Sequence, residues 1–128
     1  MGQQQLLLIV LGVIIVGIAV FVGISLFSSS SMSANRDAVA SDLNNLSALA
    51  RQYYNKPSSM GGGSYSFNGW DITTTGLNST VNGAYTATVA DQMITIVGTG
   101  VQTGNNGSTN VQETDYVTPA KDSIVVVN

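Results

Sequence analysis

Residues 6–27 read LLLIVLGVIIVGIAVFVGISLF, 22 positions at which only Gly12, Gly17, Gly23 and Ser25 interrupt the apolar side chains. At 1.5 Å per residue a helix of this length spans about 33 Å, enough to cross the hydrocarbon core of a bilayer. Apolar residues fall on every face, so the segment is not an amphipathic surface helix and needs lipid or other apolar chains around it. It is too long, and its Gly2-Gln3-Gln4-Gln5 flank too neutral, for a cleaved secretory signal, which pairs a basic start with a shorter apolar stretch. All the charged side chains lie at or after Arg36, so the chain divides into an uncharged N-terminal quarter and a polar remainder.

After a polar spacer at residues 28–33, Val39, Leu43, Leu46, Leu49 or Ala50, and Tyr53 recur at helical spacing, opposite Asp37, Ser41, Asp42, Asn44, Asn45, Arg51 and Gln52. Pro57 disfavours helix at the residue before it and sets a stop near residue 55. Nothing between the two helical patterns breaks a helix strongly, which predicts one helix of about 50 residues, apolar in its first half and amphipathic in its second. From Pro57 onward Gly, Ser, Thr, Asn and β-branched residues dominate. Asn68-Gly69, flanked by Tyr65-Ser66-Phe67 and Trp70-Asp71-Ile72, predicts a two-residue hairpin turn. Residues 84–89 alternate as Tyr85, Ala87 and Val89 against Thr86 and Thr88, the clearest strand. Further strands are expected at residues 93–97, 111–117 and 123–127, with residues 98–110 a polar loop or a weak hairpin around Asn106-Gly107. The expected fold is α+β: a long helix whose second half, through Val39, Leu43, Leu46, Ala50 and Tyr53, covers an antiparallel sheet of three to five strands. The expected organisation is a short polar start at 1–5, an apolar helix at 6–27, its amphipathic continuation at 28–56 and a β domain at 57–128.

The chemistry available is narrow. With no Cys and no His, thiol nucleophiles, disulfides and imidazole acid/base work are out of reach, and no constellation of catalytic type is visible, so no enzyme is expected. Four scattered basic residues and a net charge of −3 give no electrostatic footprint for nucleic acid. Gly61-Gly62-Gly63 lacks the Lys and following helix of a phosphate loop and is read as a flexible or tightly turned connection. Glu113 and Asp115, two apart on a strand with Asp122 near, would share one face and could pair on a hard cation. Without an EF-hand type of loop they are expected to be solvated, and no metal or cofactor is expected. Asn78-Ser-Thr80 and Asn106-Gly-Ser108 are permissive glycosylation tripeptides in loops, and Asn45-Leu-Ser47 lies mid-helix.

This layout, an apolar then amphipathic N-terminal helix followed by a small sheet with Gly/Ser-rich loops, resembles the type IV pilin and pseudopilin superfamily. In sequence the resemblance rests mainly on residues 6–54. It implies a subunit that resides in the cytoplasmic membrane, passes through pilus assembly machinery and polymerises as a homo-oligomeric helical filament on the cell surface. The resemblance makes Gly2-Gln3 the expected prepilin peptidase junction, with almost no leader before it. The filament core is then expected from Leu6, Leu7, Leu8, Ile9 and Val10 through Ile14, Ile18, Phe21, Leu26 and Phe27, with Gly12, Gly17 and Gly23 where the helix can loosen. Ala19 and Gly23 add a small-xxx-small patch for close approach. The chain departs from the bacterial pattern in three ways. The usual Glu at the fifth mature position is Leu7, or Gln5 if Met1 is retained; the mid-helix Pro is missing; and no Cys pair closes a C-terminal loop. The alternatives are a pseudopilin of a secretion or uptake machine, and a membrane-anchored adhesin whose Tyr65, Phe67 and Trp70 stack on sugar.

Overall fold

A computed structural model describes residues 2–128. One helix, α1, runs Gly2–Asn55, and five strands follow: β1 (Ser79–Thr80), β2 (Gly83–Val89), β3 (Ile94–Thr103), β4 (Asn110–Val117) and β5 (Asp122–Val126). All neighbours pair antiparallel in the order β1-β2-β3-β4-β5, a meander in which every connection is short. The chain divides into two compact units, Met1–Ser31 and Met32–Asn128.

In the second unit the C-terminal half of α1 packs on one face of the sheet, giving the α+β fold. Val39, Leu43, Leu46 and Ala50 are fully buried, as their spacing requires, against Ile94 and Ile96 of β3, Val117 of β4 and Tyr85 of β2. Burying side chains of this size contributes roughly 1.5–3 kcal/mol each, which is why one helix suffices to hold the sheet. Tyr53 behaves differently from the other four. It is half-buried, and its hydroxyl donates to the carbonyl of Asn68 at 2.8 Å, so it braces the loop after the helix as well as the core edge.

That loop ends the helix tightly. The amides of Gly63, Ser64 and Tyr65 donate to the carbonyls of Tyr53, Lys56 and Tyr54 at 2.8–3.0 Å, satisfying acceptors a helix end leaves open. Gly61 sits at φ +81°, and a side chain at Gly62 or Gly63 would run into the backbone, so the glycine run makes a tight turn.

Two strand expectations are corrected. No hairpin forms around Asn68-Gly69. Trp70 N–H does bond the Phe67 carbonyl at 3.0 Å, but only Gly69 has positive φ, whereas the hairpin turn expected there needs it at both central residues. The flanks therefore do not pair; Phe67, Trp70 and Ile72 enter the core and Ile72–Thr75 forms a 3-10 turn capped by the Asp71 carboxylate. In the second case the loop alternative fails and the hairpin around Asn106-Gly107 forms, because β3 continues past residue 97 through Gly98 and Gly100 to Thr103. Both glycines face the helix. A Cβ on Gly98 would lie 2.9 Å from Val39 and from the Tyr85 ring, and one on Gly100 would overlap Asn35. These glycines mark close approach of two backbones, not chain breaks.

Candidate functional site: an exposed apolar helix and a charged helix-sheet seam

Among its described residues the first unit is helix alone, and α1 carries no ionisable side chain before Arg36. Its large apolar side chains, from Leu6 to Phe27, are between 46% and 75% exposed. The segment is long and apolar enough to cross a membrane. All fourteen residues expected in the core (Leu6, Leu7, Leu8, Ile9, Val10, Gly12, Ile14, Gly17, Ile18, Ala19, Phe21, Gly23, Leu26, Phe27) lie on this helix and are exposed. A Cβ added at Gly12, Gly17 or Gly23 would meet nothing within 4 Å. Each glycine costs a helix interior roughly 1 kcal/mol relative to Ala, and no contact within the chain requires the absence of a side chain there. Gly2 and Gln3 form part of the first helical turn, and Met1 lies outside the described residues.

In the second unit, polar side chains fasten the helix to the sheet on both flanks. Asn35 is buried; its carbonyl oxygen accepts from the amides of Val101 (3.0 Å) and Gln102 (3.2 Å), and its amide donates to the Asn82 carbonyl at 2.9 Å. The Asp42 carboxylate accepts from Tyr85 (2.6 Å), Thr80 (2.8 Å) and Asn82 (3.2 Å). Burial pushes that carboxyl up, but the three donors together hold it below its ordinary range. Burial and the Asp42 bond push the Tyr85 hydroxyl upward. On the other flank Arg51 and Asp122 form an ion pair at 2.9 Å, which with Ser47 keeps the Asp122 carboxyl low.

Glu113 and Asp115 overturn the expectation of a solvated strand face. Glu113 is 2% exposed and Asp115 0%, on the side of β4 that the helix covers. Pattern alone was ambiguous, because Val111, Glu113, Asp115 and Val117 alternate with Gln112, Thr114 and Tyr116, and each face carries both apolar and polar residues. Among the described residues no three acidic side chains cluster as a metal would need.

The aromatic residues considered for sugar stacking separate. Phe67 is fully buried and Trp70 nearly so, while Tyr65 is 70% exposed at φ +65° and meets Tyr54 edge-on at 5.8 Å between ring centres. A cleft of about 450 Å³ opens beside Tyr53, Trp70 and Lys56. Of the loop glycosylation tripeptides, Asn106 is exposed at the β3-β4 hairpin tip and Asn78 is half-buried. The outer face of the sheet, with Thr86, Thr88, Thr99, Tyr116 and Val125, carries no charge. Comparisons with protein-family models, curated proteins and solved structures found no match.

Proposed function

We propose that this chain is the structural subunit of a pilus-like helical filament, held in the membrane before assembly and polymerising through residues 6–27. The observation that carries the reading is the apolar helix itself: 22 positions, no charge, every large side chain exposed, attached to a domain that packs its own core without them. Such a helix leaves lipid without penalty when identical helices replace lipid around it. Once the helix is out of the bilayer, the same contact keeps that surface from water, worth roughly 25 cal/mol per Å² of apolar area at every subunit. Heterologous contacts that do not close generate an open filament. The open positions at Gly12, Gly17 and Gly23 suit close helix approach between subunits. The Gly2-Gln3 junction would be cut by a prepilin peptidase, and the uncharged start would hydrogen-bond its amine through the Gln cluster.

The second reading is a membrane-anchored domain, as a pseudopilin or an adhesin, in which the same helix stays in lipid. Burial of Phe67 and Trp70 weighs against stacking on sugar at those rings. Electron cryo-microscopy of material sheared from expressing cells separates the readings. Filaments whose core density fits residues 6–27 are expected; full-length chain confined to the membrane fraction, with no filaments, would replace assembly by anchoring.

A further inference from the structure

The carboxylates of the second unit fall into two groups. Asp122 meets Arg51, Asp42 collects three donors, Asp71 caps a turn and Asp91 accepts from Ser66. Glu113 and Asp115 lack such partners. They lie in adjacent rows of the sheet, Glu113 between Gly98 and Val126 and Asp115 between Ile96 and Ile124. Oε2 of Glu113 and both carboxylate oxygens of Asp115 are buried with no hydrogen-bond partner among the described residues.

The charged and titratable groups around them do not neutralise the pair. From the helix, Arg36 attracts and Asp37 repels a charge on Glu113, while Arg51 attracts one on Asp115. From β5, Asp122 repels Asp115, and the Ser123 amide favours its charged form but falls short of hydrogen-bond geometry. From β2, Tyr85 lies within the field of Glu113. Arg36 is itself left with Nε and Nη2 buried and unpartnered, and Arg51 is already engaged with Asp122. Two ionised carboxylates here would lose water without regaining its hydrogen bonds, which is costly. A metal ion would need more donors than this place offers. A proton removes the charge itself.

We propose that Glu113 and Asp115 form a buried proton-binding site under the helix, so that the helix-sheet domain takes up protons on folding and is more stable in mildly acidic surroundings than at neutral pH. This holds whether the chain polymerises or stays anchored. Burial pushes both carboxyls up, Asp115 to about 6, with Asp122 adding to the rise and Arg51 opposing it. An acid whose folded pKa exceeds its unfolded value keeps a proton in the native state that the unfolded chain has released. Stability therefore falls as pH rises between about 4 and 6 and levels off above that window.

The test uses the full chain in detergent micelles at fixed ionic strength, with the thermal midpoint followed by near-ultraviolet circular dichroism from about pH 4.5 to 7.5. The midpoint is expected to fall by about 5 °C or more across that range. In Asp115→Asn most of the fall disappears, and the midpoint at the neutral end equals or exceeds that of the unsubstituted chain. A level or rising midpoint in the unsubstituted chain overturns the proposal, as does an unchanged slope in the double variant Asp115→Asn, Glu113→Gln. Should the variants fail to fold, carboxyl carbon-13 resonances of the unsubstituted protein decide. An Asp115 titration midpoint near 6 supports the site, and one at or below the ordinary carboxylate range removes it.

Discussion

The side-chain oxygen of Asn35, on the helix, lies 3.0 Å from the amide nitrogen of Val101, where the pairing of β3 with β4 slips register between Thr99 and Thr103. A bulge leaves strand amides without ladder partners, and here a helix side chain supplies the acceptor. Asn35→Ala is expected to lower the stability of the domain by about 1–3 kcal/mol, because two amides and the Asn82 carbonyl lose their partner in a buried place. Denaturant unfolding followed at Trp70 measures it; a loss below a few tenths of a kcal/mol would mean that water replaces Asn35 fully.

A Cβ added at Gly98 would lie 2.9 Å from both the Tyr85 ring and Val39 of the helix. Gly98→Ala should cost about 1–3 kcal/mol through overpacking, since the new methyl meets a ring and a β-branched side chain already in contact with the core. Gly107→Ala, at a hairpin tip with φ +70° and no neighbour within 4 Å, should cost only the strain of its backbone, about 1 kcal/mol. Equal losses in thermal unfolding would refute the close-approach account of Gly98.

Within the filament reading, Gly17→Asp and Ile18→Asp should abolish filaments. Gly17 has open space around it and Ile18 is exposed, so neither change disturbs a contact inside the chain. Burying the carboxylate between apolar helices or in lipid costs at least about 2.5–3.5 kcal/mol per subunit. The thermal midpoint of the folded domain should stay within a degree or two of the unsubstituted chain. Normal filaments in negative-stain images would remove residues 17 and 18 from the core.

Asp42 acts at the opposite end of the pH scale from Asp115. Its folded carboxyl lies below its unfolded value, so its bonds to Tyr85, Thr80 and Asn82 contribute stability that is present above about pH 4 and is lost as pH falls through the folded pKa. Asp42→Asn should flatten the acid limb of a stability curve recorded from about pH 2 to 4, while leaving the slope above pH 4.5 intact. An acid limb of unchanged steepness would assign it to other carboxylates, with Asp122 the next to test.

Tyr53→Ala should destabilise the domain by about 1–2 kcal/mol, less than the 3–5 typical of a fully buried aromatic, because the ring is half-exposed and the loss includes one bond to Asn68. Thermal unfolding reads the difference; a loss above 3 kcal/mol would show that the 61–69 loop depends on this ring.

Periodicity made the helix and its packing face legible: Val39, Leu43, Leu46 and Ala50 recur at turn spacing, and a Pro fixes the stop. Alternation likewise exposed β2, where Tyr85 and Ala87 point inward and Thr86 and Thr88 outward. What the chain alone could not show depended on distance in space. Gly98 and Gly100 read as chain breakers because the helix that excludes their side chains lies some sixty residues away in sequence. Glu113 and Asp115 read as solvated because nothing local says which side of β4 the helix will cover. Asn68-Gly69 fits a hairpin until Phe67, Trp70 and Ile72 are drawn into the core, where burial outweighs the pairing that a turn motif invites.

The absence of ionisable side chains before Arg36 bears on how such a chain can be stored. A soluble pool relies on mutual charge repulsion and a wetted surface, and residues 6–27 offer neither. Within the membrane-held reading proposed above, each new copy enters the bilayer as it emerges, and the reserve of chains in a cell is capped by bilayer area and not by cytoplasmic volume. Rapid synthesis without an outlet would crowd the membrane before it raised any dissolved concentration.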